Sequence, residues 1–212
     1  MTPADFVLAN TVLGAPSLVP EIRLYLADEA LPLWQKTEAE LEEDGLPPPF
    51  WAFAWAGGQA LARHVLDHPA LVAGRKVLDL GAGGGIGAIA ACRAGARAVV
   101  AAEIDPFAVT ALALNAAAND TAVETIAADI LDGTTDAEVV LAGDLFYERN
   151  LAKRTLGFLG TARARGAEVL IGDPNRTYLP KHALVPVATY RVPTPRALED
   201  SDIKRTTVWT LR

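Results

Sequence analysis

The chain has 212 residues, 51% of them apolar, which is enough for one domain with a full core and too few for two comfortable ones. Its 26 Asp and Glu outweigh 19 Lys and Arg for a net charge of −7, and no long basic cluster offers a grip on nucleic acid, so a lysine-bearing protein surface or a small molecule is the expected partner. The single cysteine, Cys92, excludes an internal disulfide, and His64, His68 and His182 lack metal-ligand spacing, so no metal is expected.

Thr2-Pro3-Ala4-Asp5 predicts a capped helix start, and Phe6, Val7, Ala9, Asn10 and Leu13 extend it as a short amphipathic helix to Gly14. The first residues lack the basic patch and long apolar run of a secretory signal. The uncharged run 80–92 is glycine-rich and shorter than the ~20 residues of a membrane span, so a soluble cytoplasmic protein with no membrane partner is expected. Alternation over 21–26 predicts a half-buried strand, and 33–43 an exposed helix with an acidic end. Residues 1–48 read as an extension packed on a catalytic domain over 49–212.

Three prolines and four aromatics, Pro47 to Trp55, precede a helix predicted over 60–67. Trp51 and Phe53 read as an aromatic plug at a sheet edge. Trp55, followed by Gly57-Gly58-Gln59, reads as lining a cationic ligand, because tryptophan is the best aromatic partner for a cation.

The organising stretch is Val77-Leu78-Asp79-Leu80-Gly81-Ala82-Gly83-Gly84-Gly85-Ile86-Gly87, an apolar strand end that enters a glycine loop and then an Ala-rich helix. Glycines permit positive φ and close ligand approach, and the helix start offers free N–H donors. Gly83-x-Gly85-x-x-Ala88 also satisfies the loose dinucleotide pattern, so a nicotinamide enzyme is a competing reading. Asp79 decides between them. A carboxylate two residues before the first glycine repels a pyrophosphate and attracts the ammonium and sulfonium of S-adenosylmethionine. Asp79, Gly81, Gly83 and Gly85 are therefore expected to form the cofactor loop.

A second buried strand over 98–103 ends at Glu103, the expected ribose acceptor, with Ile104 beside it on the cofactor side. Asp105 reads as the cap of a helix starting at Pro106 and running to about Asn119. A third strand over 124–129 ends at Asp129, placed to accept from an adenine amino group. A fourth, 138–144, runs into Leu145-Phe146-Tyr147-Glu148 and a helix over about 150–163. Ligands lie beyond the carboxyl ends of parallel strands, so Asp144 to Glu148 should face the reacting group. Asp144, Phe146, Tyr147 and Glu148 are therefore the candidates at the reacting end of the site, with capping of the following loop as the competing role for Asp144. A strand over 167–171 leads to Asn175 and Arg176, which could shape the substrate mouth. The last two strands, 184–191 and 204–211, have no intervening helix and predict an antiparallel pair closing the sheet. The fold class read from this order is α/β, a mostly parallel seven-stranded Rossmann-like sheet, with nothing demanding more than a monomer.

With these residues in hand the sequence resembles the family 16 protein lysine methyltransferases, in particular bacterial relatives of the electron transfer flavoprotein β-subunit lysine methyltransferase. The resemblance runs from about Pro20 onward. It rests on Pro-Pro-Phe-Trp-Ala-Phe-Ala-Trp with Gly57-Gly58-Gln59, on the glycine loop, on Glu103-Ile104-Asp105-Pro106, and on Asp144-Leu145-Phe146-Tyr147-Glu148. The last run matches the Asp-x-x-Phe/Tyr signature of that group and replaces the Asn-Pro-Pro-Tyr run of similar enzymes acting on glutamine amides or adenine. The resemblance implies methyl transfer from S-adenosylmethionine to lysines of a folded protein, with Asp144 and Glu148 expected to position the lysine amine, one of them taking or relaying its proton, and Phe146 and Tyr147 expected as channel walls. The flavoprotein β subunit is the leading acceptor and a ribosomal protein another. A small-molecule methyltransferase and a non-catalytic cofactor binder remain as competing readings.

Overall fold

The computed structural model describes residues 2–27, 48–194 and 201–212; the helix expected over 33–43 lies outside them. Helix α1 (Pro3–Ala9) carries the predicted capping box, Thr2 and Asp5 exchanging side-chain and backbone hydrogen bonds. It ends well before Gly14. The Asn10 Nδ2 donates to the Phe6 carbonyl at 2.8 Å and the Thr11 hydroxyl to the Val7 carbonyl at 2.6 Å, so polar side chains satisfy the last carbonyls and stop the helix. The next residues form strand β1 (Val12–Gly14), antiparallel to β2 (Leu24–Leu26).

The main sheet has seven strands: β3 (Lys76–Leu80), β4 (Ala98–Glu103), β5 (Glu124–Ala127), β6 (Val139–Gly143), β7 (Glu168–Asp173), β8 (Leu184–Pro193) and β9 (Ile203–Leu211). Their spatial order is β5-β4-β3-β6-β7-β9-β8, parallel as far as β7 and antiparallel beyond it. Among the described residues four further helices pack on this sheet: α2 (Ala56–Asp67), α3 (Ile86–Arg93), α4 (Pro106–Ala118) and α5 (Arg149–Ala164). As expected, Asp105 caps α4, its carboxylate accepting the Phe107 N–H at 2.8 Å. Among the described residues no helix is long and apolar enough to cross a membrane.

Because helices cover both faces, the central strands are apolar in both parities. Val77, Val99, Val139 and Leu141 join one core with α2 and α3, while Leu78, Leu80, Val140 and Ala142 join another with Phe158, Leu159 and Ala162 of α5. Asp79 shares the parity of Val77, so its side chain is directed at the α2/α3 face. Helix α2 begins four residues earlier than the sequence predicts. Gly57 and Gly58 sit inside it because packing requires them there: a Cβ on Gly57 would overlap the Gly172 carbonyl oxygen and the Asp144 carboxylate. This contact lays the first turn of α2 flat on the ends of β6 and β7, where the parallel strands point their carboxyl termini.

The N-terminal segment is tied to this frame by two buried amides of α4. Asn119 exchanges two hydrogen bonds with the Arg23 backbone, at 3.0 and 2.6 Å. Asn115 accepts the Tyr25 N–H at 2.7 Å and donates to the Gly84 carbonyl at 2.8 Å. Helix α1 packs on α4 through Val7, Ala108 and Ala111, with Trp51 and Ala52 in the same cluster.

Candidate active site

The end of β3 opens into the glycine loop, where Gly81, Gly83 and Gly85 take φ values of 61°, 52° and 84°. Glycine, with no Cβ, adopts these at no steric cost. Gly85 is the N-cap of α3, and Asp79 reaches across the loop so that its Oδ2 accepts the Ala88 N–H of that helix at 2.7 Å. The carboxylate also lies against Gly87, where any side chain would crowd it. Burial pushes the Asp79 carboxyl up to about 7, with the nearby Glu103 charge adding to the rise and the Ala88 N–H opposing it. A cation brought to this loop would hold the group ionised.

Glu103, at the end of β4, faces the loop from the other side. Its Oε2 accepts the Gly83 N–H at 2.8 Å, and its Oε1 accepts those of Ile104 and Asp105 at 2.7 and 3.1 Å. Ile104 is 70% exposed beside it. Asp129 is held differently: its Oδ2 takes an Arg154 N–H at 2.8 Å and its Oδ1 the Leu131 N–H at 3.0 Å, in an exposed cluster with Asp132. β5 stops at Ala127, two residues short of the expected end, so Asp129 lies in the following loop and pairs with α5, while Glu103, which does end β4, serves the glycine loop.

Asp79, Gly81 to Gly84, Ile86 and Gly87 line one side of an open cleft. Phe50, Trp51, Phe53 and Trp55 line it as well, together with Gly58, Gly143 and Asp144. Trp51 is buried with its backbone against Gly84, consistent with a plug, yet it and Phe53 also line the cleft. The Trp55 indole N–H donates to the Phe50 carbonyl at 2.8 Å, and the Phe50 ring stacks obliquely on Tyr147 at 5.8 Å. Tyr147 is 48% exposed; burial of its hydroxyl and the nearby Glu103 and Glu148 charges push its phenol up, so it remains a donor at neutral pH.

Asp144 follows β6 in a left-handed conformation, φ 56°. Its Oδ2 accepts the Gly58 N–H at 2.9 Å, the contact that the flat packing of α2 makes available. Its Oδ1 accepts from Arg176 Nη2 at 2.9 Å and Nε at 3.2 Å. The Arg176 guanidinium in turn lies over the Trp55 ring, 5.4 Å from its centroid. Asn175, φ 72°, turns the chain so that the Arg176 N–H meets the Asp173 Oδ1 at 2.7 Å.

Two expected site residues do other work. Phe146 is fully buried in the β6–α5 core and supplies no channel wall; the residue after Asp144 that turns outward is Tyr147, and its aromatic partner is Phe50. Glu148 is the N-cap of α5, each carboxylate oxygen accepting one N–H, from Asn150 and Leu151, both at 2.7 Å. Those bonds hold its carboxyl below the usual range, which makes it a weaker base, and they commit it to the helix cap. Conversely, Asp173 was legible only as a polar loop residue. It is completely buried, its Oδ2 has no hydrogen-bond partner among the described residues, and burial raises its carboxyl to about 7. Asn115 carried a signal in sequence, a polar residue four before Asn119 in an otherwise apolar helix. Among the described residues no group of His, Cys, Asp and Glu could hold a metal ion.

Residues 60–146 match the model of the ribosomal protein L11 methyltransferase (PrmA) family. The electron transfer flavoprotein beta subunit lysine methyltransferase of Danio rerio is 38% identical over 213 residues, covering 97% of this chain and 81% of its own. That of Xenopus laevis is 38% identical over 214 residues, 98% of this chain and 86% of its own. Among solved structures, the ribosomal protein L11 methylase of Lactobacillus delbrueckii subsp. bulgaricus superposes with a TM-score of 0.53 at 21% identity, covering 76% of this chain and 81% of that one. The magnesium protoporphyrin IX methyltransferase of Synechocystis PCC 6803, with bound SAH, gives 0.53 at 14% identity over 73% and 81%. The fold is that of the class I methyltransferases.

Proposed function

Since the chain belongs to the family of electron transfer flavoprotein β-subunit lysine methyltransferases, we propose that it is a protein-lysine N-methyltransferase that uses S-adenosylmethionine and acts on the flavoprotein β subunit. The observation that carries the reading is one cleft lined by two buried carboxylates, Asp79 beside the glycine loop and Asp144 together with an aromatic rim. The first suits a cationic donor and the second a lysine side chain.

The residues present fit the donor. Gly87 leaves room only for Asp79, whose carboxylate sits where a positive group on the loop would keep it ionised. Glu103 would hold the ribose, with Ile104 covering the adenine side and Trp55 facing the sulfonium end. When bound, the donor supplies a methyl group on a sulfonium. Asp129, paired with Arg154, is assigned no contact with it.

The acceptor nitrogen must be neutral to attack in line. With a lysine pKa of ~10.4, deprotonation near pH 7 costs roughly 4–5 kcal/mol unless the site lowers it. Phe50, Trp55 and Tyr147 desolvate the side chain and so favour the neutral amine. Asp144, fixed by Gly58 and Arg176, is oriented to accept one amine N–H and direct the lone pair toward the methyl group. Asn175 and Arg176 border the mouth.

The test is transfer of labelled methyl from S-adenosylmethionine into the purified flavoprotein β subunit, followed by mass spectrometry of the labelled peptide. Label in a ribosomal protein or in a small-molecule fraction instead would reassign the acceptor, and no transfer alongside tight donor binding would make the protein a silent binder. Asp144→Asn should lower turnover at least tenfold while donor affinity stays normal. Light scattering should return a monomer.

A further inference from the structure

The Asp144–Arg176 pair raises a question that the lysine reading alone leaves open. An isolated carboxylate beside the acceptor would stabilise its ammonium form, which cannot attack. We propose that Arg176 is a charge-balancing positioning residue: its guanidinium cancels the Asp144 charge, so that Asp144 can orient the acceptor amine by hydrogen bonding without holding it protonated. This rests on the lysine-methyltransferase reading and names how the same site selects the neutral nucleophile.

The geometry supports a guanidinium that is built into place. Its backbone N–H is held by Asp173 through the left-handed turn at Asn175, its Nε and Nη2 both meet Asp144 Oδ1, and its face lies over Trp55. The paired side chains are only 21% and 11% exposed, so solvent screens the pair weakly. The other carboxylate oxygen is fixed by the Gly58 N–H. The seat in front of Asp144 therefore presents a carboxylate with a guanidinium held against it, inside an aromatic rim. A lysine entering it gives its proton to solvent. The neutral nitrogen then forms its bond to the methyl carbon as the carbon–sulfur bond breaks, and the sulfur keeps that electron pair.

Among the described residues, the other ionisable groups along this cleft are Tyr147 and Glu148 after β6, Asp173 at the end of β7, and Asp79 and Glu103 toward the glycine loop. The first turn of α2, packed on Asp144, contributes no acidic side chain. Asp173 is the one whose own titration could imitate the effect, so it needs its own control.

The experiment is the pH dependence of kcat from pH 6 to 10.5 with the flavoprotein β subunit as acceptor, because kcat reports ionisations in the bound complex. Melting temperature and calorimetric binding of S-adenosylhomocysteine establish that each variant is folded and loaded. In Arg176→Gln the acidic limb should move up by about one pH unit, a roughly tenfold loss on that limb recovered at alkaline pH. Arg176→Lys, which keeps the charge, should leave the limb near its wild-type position. Asp144→Asn should move it down, whatever its plateau. An Arg176→Gln limb that coincides with wild type, a Lys variant displaced as far as the Gln variant, or a folded Gln variant dead at every pH would overturn the proposal. So would Asp173→Asn reproducing the Arg176→Gln shift. Should Arg176→Gln fail to fold, the Lys variant and the opposite displacement in Asp144→Asn decide. A wild-type enzyme that methylates no lysine at any pH would instead sink the functional reading, a distinguishable failure.

Discussion

Gly57 and Gly172 lie backbone to backbone, so close that a Cβ on either would overlap the carbonyl oxygen of the other. The contact joins the first turn of α2 to the end of β7 and brings the Gly58 N–H onto Asp144. Gly57→Ala should therefore destabilise the fold by about 1–3 kcal/mol, as overpacking does, despite alanine's better helix propensity. Turnover should fall with it as Asp144 is displaced. Gly160→Ala is the control: it stands on the exposed side of α5 with nothing near its would-be Cβ, and should be neutral or stabilise by up to about 1 kcal/mol. Urea unfolding of the two variants measures both.

Asn115 couples the N-terminal strand β2 to the glycine loop through one buried side chain. Asn115→Ala leaves the Tyr25 N–H and the Gly84 carbonyl without that partner, which should cost about 1–3 kcal/mol of stability for each group left unsatisfied. Donor affinity should weaken as well, because the loop loses its brace. A variant that unfolds earlier yet binds S-adenosylhomocysteine at wild-type strength would show that the brace serves the extension alone.

Glu148→Ala should lower the melting temperature through loss of the α5 cap while leaving kcat within about twofold of wild type. The reverse pattern, normal melting and lost turnover, would return Glu148 to the chemistry.

Asp79 makes stability depend on pH with a definite sign. Its carboxyl titrates near 3.9 in the unfolded chain and at about 7 in the folded one. Between those values the native state holds a proton that the unfolded state has lost, so this contribution to stability declines as pH rises from about 4 to about 7 and is level above. Asp79→Asn should flatten that decline, read as the difference between wild-type and variant urea midpoints at pH 4.5, 6 and 7.5. A cationic donor favours the ionised acid, so wild-type affinity for S-adenosylmethionine should rise with pH through the same window, with proton release visible by calorimetry in buffers of different ionisation enthalpy.

What the residues determined by themselves is what depends on local chemistry. The apolar strand running into Gly81-Ala82-Gly83-Gly84-Gly85 specifies its own turn, because glycine takes those left-handed φ values at no steric cost. Asp105-Pro106 specifies a helix start, and two terminal strands without a helix between them specify an antiparallel closure. Two-faced apolar strands announced a covered parallel sheet. Only the tertiary structure decided which acid does which job, since each carboxylate's role depends on donors distant in sequence. Asp144 meets Gly58 and Arg176, 86 and 32 residues away, while Glu148 turns to amides two and three residues on. The same holds for Gly57-Gly58, whose composition suggests a loop and whose function is close packing inside a helix. Burial, the quantity that moves Asp79 and Asp173 toward neutral pKa values, is a property of the assembled sheet and helices.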